Sequence, residues 1–183
     1  MNDLVIQSNK KASVVERISA DLFKQGMRRL AGAVNIISVE KDGDLAGLTA
    51  TAVMSVSAEP PRVMVCINKD VFAHSLLREG GRICINTLSS SQVSQAKIFA
   101  GMDKNFTGVE RFNTGSWLME AGKAPQLEGA LLNLQCEIVE MISASSHSMV
   151  LCEVIGLSAN QDSDLAALVY FDCGFSVAQR SSI

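Results

Sequence analysis

The chain is predicted to be mainly β, folded as a closed or nearly closed barrel with Greek-key links and a few short helices. Three observations lead there. Short apolar or alternating runs recur along the whole sequence, Gly, Asp, Asn and Pro punctuate them, and only a few stretches carry apolar residues at helical spacing. With 183 residues, 48% apolar and 19% charged, the chain can bury one good core and lacks the composition of a disordered segment.

Residues 1–13 are polar and read as a loose leading segment, followed by a single domain over 14–183. Val14, Val15, Ile18, Leu22, Phe23, Met27 and Leu30 then follow close to helical spacing. Ser13 is placed to cap this helix, with Glu16 three residues on as in a capping box. Gly26 is expected to break the helix in two and Gly32 to end it. Val34–Glu40 reads as a strand, and Asp42-Gly43 within KDGD is a hairpin signal.

Gly47 to Pro61, GLTATAVMSVSAEPP, is the most strongly patterned stretch and holds no charge before Glu59. In one extended strand, Thr49, Thr51, Val53, Ser55 and Ser57 line one face, and Ala50, Ala52, Met54, Val56 and Ala58 the other. The second face is apolar and mostly small, so another layer is expected to approach it closely. The hydroxylated face could hold a polar ligand; the pattern equally suits a half-buried strand whose hydroxyls meet water. Glu59-Pro60-Pro61 ends the run, since proline donates nothing to a ladder.

Val63–Ile67 and Ile83–Ile85 read as buried strands, separated by a polar turn at Asn68–Asp70 and a short helix over Phe72–Glu79 that Gly80-Gly81 closes. Gln92–Ala100 suits a helix, residues 101–123 a loop region holding Trp117, Ala130–Glu140 and Met149–Leu157 two long strands, and Leu168–Phe171 the last strand.

Composition also excludes. A net charge of −3 gives no basic footprint for nucleic acid. No apolar run reaches the ~20 residues of a membrane helix, and the polar start MNDLVIQSNKK is not that of a signal peptide. The five cysteines form no CxxC pair and read as buried thiols of a cytoplasmic protein. The two histidines, His74 and His147, lie apart from any cysteine cluster, so no metal site is expected.

Four motifs in order carry a resemblance: GLTATAVMSVSAEPPRVMVCINK at Gly47–Lys69, GRICINTLSSSQ at Gly81–Gln92, FAG at Phe99–Gly101, and SSHSMVLCEV at Ser145–Val154. Over about Phe23 to Phe175 the chain resembles the short-chain flavin reductase family, and within it the reductase components of two-component 4-hydroxyphenylacetate 3-monooxygenases. The resemblance implies an FMN-binding split barrel, usually a homodimer with flavin near the subunit interface. It also implies an NAD(P)H:flavin oxidoreductase, using NADH or NADPH, that supplies reduced FMN or FAD to a partner monooxygenase, with aromatic hydroxylation as the partner's reaction. Hydride transfer between rings is direct, so no catalytic acid or base is named; the protein orients the two rings.

The same resemblance assigns Thr51, Ala52, Val53 and Ser55 to the isoalloxazine ring. Asn68 and Lys69 are placed to meet the ribityl chain or phosphate, although a solvated turn lysine fits equally. Asn86, Thr87 and Leu88 close a strand, where Asn86 could meet the flavin edge or serve turn chemistry. Ser91 and Gln92 open a helix whose free N–H groups suit a phosphate or an ordinary cap. Phe99 could wall the site or belong to the core, and His74 could meet flavin or lie on the helix surface. His147 sits where many relatives carry Gly-Asp-His and meet the nicotinamide nucleotide; here the triplet is Ser145-Ser146-His147. Close relatives carry basic residues after the last aromatic strand, where this chain has Asp172-Cys173-Gly174-Phe175. Two other functions stay open: direct reduction of a bulky substrate such as a corrinoid, and a flavin-binding redox module without turnover.

Overall fold

The computed structural model describes residues 17–162 and 164–179. The expected cap at Ser13, its partner Glu16, and Val14 and Val15 lie outside those residues. Helix α1 (Ala20–Met27) is capped by Ser19, whose hydroxyl accepts the Leu22 N–H at 3.2 Å. Gly26 sits inside α1 and does not break it, and the helix ends at Met27, before Gly32. None of its residues is buried, and Leu22, Phe23 and Met27 stay largely exposed.

Strand β1 (Gly32–Ala33) leads into β2 (Asn35–Lys41) and β3 (Asp44–Ala50), a hairpin turning through Asp42 and Gly43. Both turn residues have positive φ, as an Asp-Gly hairpin turn requires. The patterned stretch is then not one strand. It splits into β3 and β4 (Val53–Ala58), with Thr51 and Ala52 between them in neither. Val53 N–H donates to the Thr51 carbonyl at 3.0 Å, a γ-turn centred on Ala52.

That turn swaps the faces. Ala46, Leu48 and Ala50 pack on the barrel core before it, and Val53 packs there after it. Strict alternation would set Ala50 and Val53 on opposite sides. The expected apolar inner face therefore fails beyond Ala50: Met54 is 60% and Val56 47% exposed.

β4 pairs with β5 (Pro61–Asn68). Helix α2 (Phe72–Ser75) is half the expected length, because the chain turns back toward β6 (Arg82–Thr87) and Gly80 N–H is taken by the Ile138 carbonyl at 2.8 Å. A 3-10 turn at Ser90–Gln92 precedes α3 (Val93–Phe99), and a second spans Gly108–Asn113. β7 (Trp117–Leu118) pairs with β8 (Gln126–Leu127), inside and just beyond the region expected to be loop. β9 (Leu132–Ala144) and β10 (His147–Ala159) form a long hairpin, extending past the expected bounds. The chain finishes on a hairpin rather than one strand, β11 (Ala167–Phe171) with β12 (Gly174–Ala178).

The main sheet runs β3-β2-β6-β9-β10-β5-β4. Its two ends, β3 and β4, are consecutive pieces of one run of chain, so the barrel closes at the Thr51–Ala52 break. The expected mainly β barrel with a few short helices is what forms. A smaller sheet, β1-β11-β12, lies beside it. One core fills the barrel around Ile37, Val65, Ile85 and Val150. The other packs α3 on the outer wall, where the rings of Phe99, Phe112 and Trp117 lie 4.9–5.3 Å apart by centroid.

All five cysteines are free; Cys84, Cys136 and Cys152 are buried, while Cys66 is half-buried and Cys173 exposed. Cys173 departs from the expectation of buried thiols because it sits in the β11–β12 turn. Burial pushes the Cys136 and Cys152 thiols up to about 12, with Cys136 adding to the shift at Cys152. Cys84 is pushed further up by burial and then by Cys136. Among the described residues, no helix is long and apolar enough to cross a membrane.

Candidate functional site

The break that closes the barrel also leaves backbone groups open. Thr51 and Ala52 are exposed. Their carbonyls accept from Val53 and Cys66, each at 3.0 Å, but neither N–H finds a protein acceptor among the described residues. Exposed at the surface, these two donors are open to water or to a ligand. β3 stands at one end of the sheet order, so its second edge is unpaired too.

Three cavities follow that edge. The largest, about 660 Å³, lies under α1 and is lined by Phe23, Thr51, Ala52, Val53 and Tyr170. The next, about 190 Å³, shares Thr51 and Tyr170 with it and adds Thr49 and Ala100. The third, about 250 Å³, shares Ala100 with the second and is walled by Gly47, Phe72 and Arg111. Gly47 is required there: a Cβ would lie 2.7 Å from the Phe99 ring. Ser55 is exposed on β4, beside a bulge before Ser57.

A second polar group gathers where β5 and β10 end. His147 is the cross-strand partner of Asn68, and Cys66, two residues before Asn68, donates its N–H to Ala52. Cys66, Asn68 and His147 thus lie on one face of β5 and β10, and the Cys66 bond brings Ala52 beside them. His147 is exposed, with Nδ1 2.9 Å from the Ser146 hydroxyl. Asn68 Oδ1 accepts the Asp70 N–H at 3.0 Å. Lys69 Nζ donates to Ser143 Oγ and to the Ser145 carbonyl, both at 2.7 Å, clamping the β9–β10 turn. His74 Nε2 lies 2.9 Å from Ser148 Oγ, tying α2 to β10.

Other expected site residues are placed elsewhere. Asn86 is fully buried. Its Nδ2 donates to the Ile36 carbonyl at 3.0 Å and Ser38 Oγ at 3.2 Å, and its Oδ1 accepts from Leu127 N–H and Asn133 Nδ2, each at 2.8 Å. That amide is saturated within the core. Thr87 donates its hydroxyl to Asn35 Oδ1 at 2.7 Å, and Leu88 is fully buried. Gln92 closes a capping box, accepting the Ser89 N–H at 3.1 Å while donating to the Glu128 carbonyl at 2.9 Å. Ser91 is exposed and pairs with Ser89 Oγ at 2.9 Å. Phe99 is a core ring whose edge reaches the third cavity. Gln92 thus serves as a cap and Phe99 as a core ring, while Asn86 lies inside β6 rather than in a turn.

Two residues on the cavities escaped sequence reasoning. Tyr170 reads only as part of an apolar strand, and Arg111 as one charge in a loop region. Asp172 gains a role from structure: its carboxylate lies 3.4 Å from Arg28 and 3.6 Å from Arg29, latching the end of α1 to the β11–β12 turn.

Residues 27–178 match the family described as flavin reductase like domain. The protein named FMN reductase (NADH) RutF from Stutzerimonas stutzeri is 38% identical over 149 residues, covering 81% of this chain and 83% of that protein. The styrene monooxygenase flavin reductase of Pseudomonas putida S12 superposes with a TM-score of 0.73 and 25% identity, over 87% of this chain and 98% of that one. The NADH:FAD oxidoreductase SgcE6 of Streptomyces globisporus, solved with NAD and FAD fragments, gives a TM-score of 0.80 over 92% and 99% of the two chains. At 23% identity that last likeness speaks for the fold alone. With a match spanning most of its length, the chain belongs to the flavin reductase like domain family.

Proposed function

We propose that the protein is an NADH-dependent flavin oxidoreductase that reduces FMN or FAD and releases it to a partner monooxygenase acting on an aromatic substrate. The observation that carries this reading is the Thr51–Ala52 break, where two residues whose N–H groups have no acceptor among the described residues line a groove at the open edge of β3. A flavin ring fits such a place. Its heteroatoms lie along one edge and accept hydrogen bonds from backbone donors, and its flat faces suit a cleft bearing Phe23 and Tyr170.

When bound, flavin supplies a ring that accepts hydride from nicotinamide. The chain's own part is to bind and orient. Thr51 and Ala52 would donate to the ring edge, Val53 would support it from the core side, and Ser55 would flank it. Asn68 and His147, on the face that the Cys66 bond brings beside Ala52, would hold the polar part of the nicotinamide nucleotide. Lys69 and His74 would support that end by fixing the β9–β10 turn and α2.

We assign the working form as a cytoplasmic homodimer. Support comes from exposed apolar side chains: Phe23 and Met27 of α1 line the groove of about 660 Å³, and Leu22, Met54 and Val56 are exposed as well. The test is titration with FMN and with FAD, followed by flavin fluorescence, together with NADH consumption in the presence of each. Quenching and NADH oxidation are expected; neither binding nor turnover with either flavin would overturn the reading.

A further inference from the structure

The cations along the connected cavities differ in one respect. Lys24 lies 3.7 Å from Asp21, and Arg28 lies 3.4 Å from Asp172. Arg111 has no carboxylate within ion-pair distance among the described residues. Its Nη1 donates a long bond, 3.4 Å to the Gly47 carbonyl, and its buried Nε has no partner among the described residues. A half-buried guanidinium without a counter-charge is costly to hold, and an anion entering the cavity would offset that cost. Of the positions expected to take phosphate, Gln92 is engaged in its cap, Lys69 in the β9–β10 turn and Ser91 with Ser89, while Asn68 accepts the Asp70 N–H.

Resting on the flavin reading above, we propose that Arg111 anchors the phosphate group of a bound nucleotide at the end of the groove away from α1. Arg111 comes from the 3-10 turn Gly108–Asn113, and Gly47, Phe72 and Ala100 complete the cavity of about 250 Å³. Gly47 stands four residues before Thr51 on β3, roughly 13 Å along the strand. A ring seated at Thr51–Ala52 does not cover that span alone; a ring with its extended ribityl phosphate arm does. The guanidinium matches phosphate oxygens through paired donors. The phosphate could belong to the flavin nucleotide or to the nicotinamide dinucleotide.

The experiment compares dissociation constants of FMN and riboflavin for the wild type, Arg111→Gln and Arg111→Lys. The expected result is an FMN preference in the wild type that falls on the order of tenfold or more in Arg111→Gln, with riboflavin affinity kept and Arg111→Lys intermediate. Unchanged flavin affinities with a raised KM for NADH, riboflavin being the acceptor, would support the site with the dinucleotide as its source. Equal losses for FMN and riboflavin would show a merely structural role and overturn the proposal, as would no change in any of these constants. Should the wild type bind no flavin, the activity reading fails by itself, and inorganic pyrophosphate then decides. A rise in wild-type Tm that Arg111→Gln lacks supports the anion site, and no rise in either overturns it.

Discussion

Asn86 and the Thr51–Ala52 pair are both polar, both at strand ends and both assigned to flavin by resemblance, yet the structure uses them in opposite ways. The Asn86 amide is fully buried and accepts or donates at every position, joining β2, β6, β8 and β9. At Thr51 and Ala52 the carbonyls are satisfied, and the two N–H groups find no acceptor among the described residues. Polar groups that the chain satisfies itself hold the barrel together, and those that it leaves open at the surface are available to a ligand. The difference separates stability from binding, and substitutions can probe each side.

The largest effect is expected at the saturated end. Asn86→Ala strips partners from Leu127 N–H, Asn133 and the Ile36 carbonyl, all in the core. At ~1–3 kcal/mol for each buried group left unsatisfied, the loss should be about 3 kcal/mol or more. A urea titration should show a lower midpoint with an unchanged slope, while the folded fraction binds flavin as before. Normal stability with lost flavin binding would reverse the comparison.

Next comes pH. Cys136 and Cys152 move from the ordinary thiol value of 9.0 up to about 12, chiefly through burial, and Cys84 moves in the same direction. A raised value in the folded state means that the fold keeps a proton which the unfolded chain releases. Below pH 9.0 both states keep it and this contribution is fully present. Above that point stability falls as pH rises, by up to ~1.4 kcal/mol per pH unit for each thiol, until the folded groups ionise near about 12. Urea midpoints across the alkaline range should decline accordingly, and a flat profile would contradict the burial of these three side chains.

The smallest of these effects lies on the ligand side. His147→Ala removes an exposed imidazole beside Asn68, so stability and flavin affinity should stay near wild type. The KM for NADH should rise about three- to tenfold, the worth of one hydrogen bond of ~0.5–1.5 kcal/mol. Stopped-flow reduction of flavin-loaded protein over a range of NADH concentrations reads this directly. Wild-type kinetics would remove His147 from the site.

Much of this was legible in the residues. The apolar runs at Val63–Ile67 and Ile83–Ile85, and the Asp42-Gly43 turn, located strands and a hairpin through period and turn chemistry alone. The break after Ala50 was hidden, because a γ-turn inside an alternating run leaves its letters looking continuous. The last hairpin was hidden too: Asp172 and Cys173 adopt φ of 46° and 64°, positions where sequence leads one to seek glycine or asparagine. Asn86 and Gln92 show a further limit. An amide after a strand reads the same whether its partner is a ligand or Leu127 and Glu128, since those partners lie far along the chain. Arg111 carried no signal, as its lack of a counter-charge among the described residues exists only after folding.

The central claim is that the ligand is held by the open backbone donors of the break. Ala52 is the centre of the γ-turn and is not among the residues with positive φ, so its conformation is the inverse form, near the φ that proline fixes. Ala52→Pro therefore deletes one free N–H without taking a hydrogen bond from the fold. The measurement is flavin affinity of Ala52→Pro by fluorescence titration, with the urea midpoint as a control on folding. A midpoint close to wild type and flavin binding weaker by about three- to tenfold are predicted, from ~0.5–1.5 kcal/mol for the lost bond. Wild-type affinity in the folded variant would contradict the claim and place flavin elsewhere on the barrel.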